Sequence, residues 1–180
     1  MTDRGMHISA GTGKRRITPP IGVAMGGFAF RDRGCEGIRD DLYVRSLWLE
    51  GPAGRLLILS LDLVSIDLET IADWKAEIRE RWNLAEHQIL VNETHTHSGP
   101  LVARRFYGPM PRDEGYMALL KERVLEAVAE SSHTETECTL EFGRTELHLG
   151  FSRRKPTPDG RLKWAPYPGG YVERDLPVLV

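Results

Sequence analysis

Two histidines one residue apart, His95 and His97, stand in the run Thr94-His95-Thr96-His97-Ser98-Gly99-Pro100. On an extended segment, side chains at i and i+2 point to the same side, so two imidazoles are presented together. That arrangement suits metal binding or polarisation of an anion. Neutral imidazole is a good zinc ligand. Thr94, Thr96 and Ser98 can fix ring tautomers from outside the coordination shell, and Gly99 permits close backbone approach. An arbitrary pair of this spacing is as often two histidines in a polar surface loop. Here the position just past a buried strand and the small polar neighbours favour a metal. Catalytic zinc takes about three protein ligands and an open position, so further donors must come from elsewhere.

Asp62 ends the apolar run Leu56-Leu57-Ile58-Leu59-Ser60-Leu61. An unpaired buried carboxylate is costly. Asp62 therefore orients a histidine, binds metal directly, or caps the following turn. Arg153 and Arg154 follow Phe151-Ser152. One of them could clamp an oxyanion or a substrate hydroxyl with its fork of donors, although a solvated arginine pair is the common case. Gly11-Thr12-Gly13-Lys14 is no phosphate loop, because Ile8 stands where the Walker pattern needs glycine. Ser98 lacks the Gly-x-Ser-x-Gly elbow of a nucleophile. His7, His87, His133 and His148 are isolated in the sequence.

The positioning elements follow from periodicity. Residues 7–12 read as a short strand leading into a glycine-rich turn. Residues 17–22 cannot be helical, because of Pro19 and Pro20. Residues 26–41 form a long loop of the kind that often carries function. Residues 42–49 and 55–63 make a hairpin about the turn at 51–54. Both alternating sets of the first strand are apolar, which predicts burial on both faces. Asp67 is the expected N-cap of a helix to about Trp82, with Ile71, Trp74, Ile78 and Trp82 as its core stripe. A strand at 87–92 delivers the chain into the histidine run. A second loop extends through Pro111. Asp113 starts a helix bearing Tyr116, Leu120, Val124 and Val128. Two alternating runs, 138–142 and 147–151, flank a bulge or bend at Gly143-Arg144-Thr145. Residues 155–170 are expected to be loop, and 176–180 the start of a strand.

The chain has 180 residues, 41% apolar and 28% charged, with a formal net charge of −2. These values are ordinary for a globular domain. They offer neither the basic face of a nucleic-acid binder nor a polybasic membrane patch. Cys35 and Cys138 cannot build a thiolate zinc site alone. No signal-peptide h-region and no bilayer-length apolar run is present. The expected location is cytoplasmic as written, or secreted if the start is misassigned. Mixed strands and helices predict an α/β class, with mixed sheets layered against helices. Ending within an apolar strand suggests the front portion of a longer protein.

Taken in order, several segments resemble the N-terminal part of the catalytic domain of the neutral/alkaline (non-lysosomal) ceramidase family. They are Gly11-x-Gly13 with Ile17-Thr18-Pro19, Met25-Gly26-Gly27-Phe28, the strand ending in Asp62, Thr94-His95-Thr96-His97-Ser98-Gly99-Pro100, and Ser152-Arg153-Arg154. The histidine string is the specific one; the others are individually weak but correctly ordered. The resemblance spans residues 1–180 as one incomplete domain. It implies zinc-dependent hydrolysis of the amide of N-acylsphingosine to sphingosine and fatty acid, with a lipid-like amide as substrate. It also implies His95 as a zinc ligand, His97 beside the metal against a substrate oxygen, and Arg153 in the same site. The family's other zinc ligands and its proposed catalytic serine would lie beyond residue 180. Arg16, Leu101-Val102 and Ser152 depart from the family pattern. Those departures keep open a relative acting on another amide or ester, or a non-catalytic binding module.

Overall fold

The computed structural model describes residues 6–28, 31–104 and 111–180. The chain divides into two compact units, His7–Cys138 and a smaller one built on Thr139–Val180.

The larger unit is organised by β1 (Met6–Arg16), β2 (Tyr43–Gly51), β3 (Gly54–Leu61), α1 (Leu68–Trp82), β4 (Ile89–Glu93) and α2 (Glu114–Ser131). With β5 (Thr136–Leu140), the strands form one sheet in the order β4-β3-β2-β1-β5. The β1–β2 and β2–β3 pairs are antiparallel, and β3–β4 is parallel across α1. The class is α/β, as expected, and the 42–63 hairpin forms with Gly54 at φ +114 in its turn.

One sheet face is the core. Val44, Trp48, Leu57, Leu59 and Leu61 are buried and join Trp74 and Ile78 of α1 and Leu120, Val124, Ala127 and Val128 of α2 in one cluster. Each fully buried leucine there is worth about 1.5–3 kcal/mol. The opposite face is only half-buried at Leu47 and Ile58 and open at Leu56 and Leu90. This corrects the expectation of two buried faces: both helices feed the same core cluster.

Gly11 and Gly13 lie inside β1, an 11-residue strand, not in a turn. A Cβ at Gly11 would sit 1.9 Å from the Ser131 carbonyl oxygen, and one at Gly13 would sit 2.1 Å from that of Ala127. The missing side chains let the strand touch the backbone of α2. Beside them the buried Ser46 hydroxyl donates to the Ala127 carbonyl at 3.1 Å and meets the Ser131 hydroxyl.

Asp67 occupies the N-cap position of α1 without capping it. Its carboxylate accepts instead from the Arg104 backbone N–H at 3.0 and 2.9 Å and from Arg112 at 3.3 Å. The Arg112 side chain, 7% exposed, also pairs with Glu114 at 2.9 Å. Its guanidinium donates to the Val102 carbonyl and the Thr70 hydroxyl. Asp113 does cap α2, accepting from Tyr116 N–H at 2.7 Å. Residues 105–110 of the second expected loop lie outside the described residues.

The smaller unit contains β6 (Phe142–Glu146), β7 (Ser152–Pro156), β8 (Leu162–Tyr167) and β9 (Asp175–Leu179). They form two two-stranded antiparallel sheets, β6–β9 and β7–β8. Three expectations are corrected here. Gly143-Arg144-Thr145 is regular strand, held by pairing to β9. Residues 147–151 are not strand. Residues 155–170 contain most of the β7–β8 hairpin. Composition hid that hairpin, because exposed ladders need no apolar alternation.

Candidate metal centre

The parallel β3–β4 pair sets up the histidine segment. Past the end of β4, Thr94 N–H donates to the Leu61 carbonyl at 2.9 Å and Thr96 N–H to the Leu63 carbonyl at 3.0 Å. These bonds continue the ladder one residue either side of His95. His95 itself adopts φ +59. Left-handed backbone at a non-glycine residue costs about 1–3 kcal/mol and persists only where its surroundings impose it. The segment is therefore kinked where a simple extended run was expected. The two imidazoles nonetheless meet, edge to face, with centroids 4.7 Å apart.

Among the described residues, one hydrogen bond orients the His95 ring. Nδ1 lies 2.9 Å from the Val64 carbonyl oxygen. A carbonyl can only accept, so Nδ1 carries the proton. Nε2 is left as the lone-pair nitrogen, the state that a metal ligand requires.

His97 is walled by the Met25-Gly26-Gly27-Phe28 segment. Gly26 N–H donates to the Gly99 carbonyl at 2.9 Å and Leu101 N–H to that of Ala24 at 2.7 Å. A Cβ on Gly27, which has φ +92, would fall 2.2 Å from the His97 carbonyl oxygen. Only glycine fits both the backbone angle and the space. The Phe28 ring then meets the His97 imidazole edge-on at 5.5 Å. Pairing across this bridge buries Leu101 and Val102, which is 0% exposed.

Asp62 acts at the base of the segment. Its carboxylate accepts from Tyr43 N–H at 2.9 Å and from one Arg45 nitrogen at 3.1 and 3.0 Å. Thr94 Oγ1 donates to it at 3.4 Å, and Thr94 Oγ1 lies 2.8 Å from Thr96 Oγ1. Among the described residues no imidazole hydrogen-bonds to Asp62; it holds the segment through the Thr94 hydroxyl, which in turn meets that of Thr96. Arg153 belongs to the smaller unit, on β7, where its guanidinium stacks over the Trp164 ring at 5.6 Å. The structure thus brings His95 and His97 together and ties Asp62 to their segment, while Arg153 is held by its own hairpin. Sequence reasoning did not find the Val64 carbonyl, because a backbone acceptor leaves no residue-type signal.

A cavity of about 680 Å³ opens next to the segment, bordered by Thr96 and Ser98 but by neither imidazole. Its other walls include Thr18, Met25, Leu42 and residues 31–40. Among the described residues, no three His, Cys, Asp or Glu side chains are grouped so as to hold a metal by themselves. Also among them, no helix is long and apolar enough to cross a membrane.

No family model and no curated protein matches the chain. Solved structures do. The neutral ceramidase from Pseudomonas aeruginosa superposes with a TM-score of 0.71 at 20% identity, over 83% of this chain and 25% of that one. A ceramidase complexed with C2 gives the same values. The chain spans a quarter of the length of those enzymes, and over that quarter its fold is ceramidase-like.

Proposed function

We propose that this chain is the front part of a zinc-dependent amide hydrolase related to the neutral ceramidases, with His95 as one zinc ligand. The observation that carries the proposal is the His95 ring, whose Nδ1–H is committed to the Val64 carbonyl while Nε2 is free to coordinate. The ceramidase-like fold and the ordered sequence segments support it. The donor set must be completed by groups other than those described, since one histidine and its neighbour do not make a zinc site.

Zinc held there supplies a Lewis acid for an amide carbonyl and acidifies a water. The chain's own residues do the rest. His97 is exposed and makes edge-to-face contacts with His95 and Phe28, so its ring is held at the edge of the centre. There it would donate to the oxygen that gains charge as the amide is attacked. The substrate class is a lipid-like amide, with N-acylsphingosine as the leading example.

The test is metal content and turnover of N-acylsphingosine by the protein and its His95→Ala variant. Zinc that copurifies with the protein and is lost from the variant, together with loss of hydrolysis, is the expected result. Unchanged zinc in the variant refutes the ligand assignment. Zinc-loaded protein that hydrolyses other amides or esters but not ceramide refutes the substrate.

A further inference from the structure

We infer that the β7–β8 hairpin is a peripheral docking surface for an anionic lipid bilayer. Residues 152–167 carry five lysines or arginines against one acid, a local charge of +4 in a chain whose formal net charge is −2. The chain-wide balance, which gives no sign of a polybasic patch, averages out a concentrated one.

The fold leaves these cations largely unneutralised. The one acid, Asp159, is taken at the turn, where Arg161 lies 3.6 Å from its carboxylate and the Thr157 hydroxyl donates to it. Elsewhere in the smaller unit Asp175 pairs with Arg144 at 2.8 Å, and Glu173 accepts from the Tyr171 hydroxyl at 2.7 Å. Arg154, Lys155 and Lys163 are exposed and have no carboxylate partner among the described residues. Lys155 stands directly opposite Lys163 in the ladder. Like charges in that position destabilise a sheet, so the hairpin itself gains nothing from them.

Alternate residues of a strand take opposite faces. Arg154 is paired with Trp164 and Pro156 with Leu162, so the face away from the two lysines combines an aromatic, an aliphatic and a cationic side chain. Trp164 is 83% exposed and Leu162 63%. The Arg153 guanidinium stacks over the Trp164 ring at 5.6 Å. A nucleic acid would neutralise the lysines but leave Leu162 and Pro156 in water. The headgroup layer of an anionic bilayer takes every part. Indole settles at the interface, Leu162 reaches the acyl boundary, and the cations meet the headgroups. The flexible lysine stems let ammonium groups on the far face reach the same layer. The inference goes beyond the hydrolase reading and does not depend on it, although a lipid amide would reside in such a surface.

The experiment is binding of the protein to phosphatidylcholine vesicles with and without 30% phosphatidylserine, followed by sedimentation and by tryptophan emission. Trp48 and Trp74 are buried and Trp82 is half-buried, so a blue shift reports Trp164. The expected result is at least about tenfold stronger binding to the anionic vesicles, with a blue shift, and weakening by added salt. Lys155→Gln with Lys163→Gln should weaken binding about thirtyfold, the effect of two cations at an anionic surface. Lys155→Arg with Lys163→Arg should stay within about twofold of the unaltered protein. Trp164→Ala should weaken binding about tenfold and remove the blue shift. Arg33→Gln with Arg39→Gln takes the same charge from the larger unit and should change binding by no more than about twofold. No binding, equal binding to both vesicles, binding without a blue shift, or equal weakening by the Arg33/Arg39 and Lys155/Lys163 glutamine pairs overturns the inference. Vesicle binding requires neither zinc nor His95, so a failure here is separate from a failure of His95→Ala to lose zinc.

Discussion

The two units are built on opposite terms. In His7–Cys138 a sheet is sealed on one face by two helices, and Leu57, Leu59, Leu61, Ile78, Leu120, Val124 and Val128 are all 0% exposed. In Thr139–Val180 hydrogen-bonded ladders are just as regular, yet no residue is buried. Phe142 is 71% exposed and Trp164 83%. Backbone pairing is common to both, and buried apolar area belongs to one. Two-stranded sheets without a covered face are marginal in water. The contrast locates the rigid scaffold of the candidate metal centre: His95 and His97 hang from the core strands β3 and β4, whereas Arg153 sits on an exposed hairpin.

The largest effect that could break this comparison is a core deletion. Leu59→Ala should cost about 2–5 kcal/mol in urea unfolding, while Leu162→Ala on the exposed hairpin should stay within about 0.5 kcal/mol. Equal costs would show that the second unit carries stability of its own. Next, Gly13→Ala forces a methyl group against the Ala127 carbonyl, 2.1 Å from the ideal Cβ. A loss of about 1–3 kcal/mol is expected, as for overpacking, with no dependence on added phosphate. Phosphate-dependent stability would revive the phosphate-loop reading. Amide hydrogen exchange gives a finer view. Amides of β3 should exchange only through global opening and those of β7 and β8 through local opening; similar protection in both would contradict the division.

The smallest effect is electrostatic. Glu130 is held below the usual carboxylate range, first by the hydrogen bond from the Lys14 backbone N–H and then by Arg15. A carboxyl whose folded pKa is lowered stabilises the protein above its unfolded value, and that contribution is lost as pH falls through the folded value. The stability gap between the protein and Glu130→Gln should therefore be full at neutral pH and close as the solution is acidified below the ordinary carboxylate range. Both partners are about a third exposed, so the gap is small. A gap that widens on acidification would contradict the assignment.

Much of the larger unit was legible in its residues. Alternation marked β2 and β3, and helical spacing marked the buried faces at Trp74 and Ile78 and at Leu120 and Val124. Asp113 announced the start of α2. What stayed hidden was whatever depends on contacts far apart in the chain. Gly11 and Gly13 looked like a turn because their purpose, the close approach of α2, arises more than a hundred residues later. Asp67 looked like a cap because sequence shows a helix start but not the arginine that claims its carboxylate. The histidine pair was legible as a pair, but the kink at His95 and its bond to Val64 were not. The equal spacing of His95 and His97 hides an asymmetry that the backbone imposes: one ring is held through Nδ1 by the Val64 carbonyl, and the other leans on Phe28.

That asymmetry is the central claim, and nitrogen NMR of the imidazoles tests it most directly. In the metal-free protein the His95 ring should be the Nδ1–H tautomer, and added zinc should shift its Nε2 resonance while leaving Nδ1 protonated. An Nε2–H tautomer for His95, or zinc that leaves its Nε2 unmoved, would contradict the account.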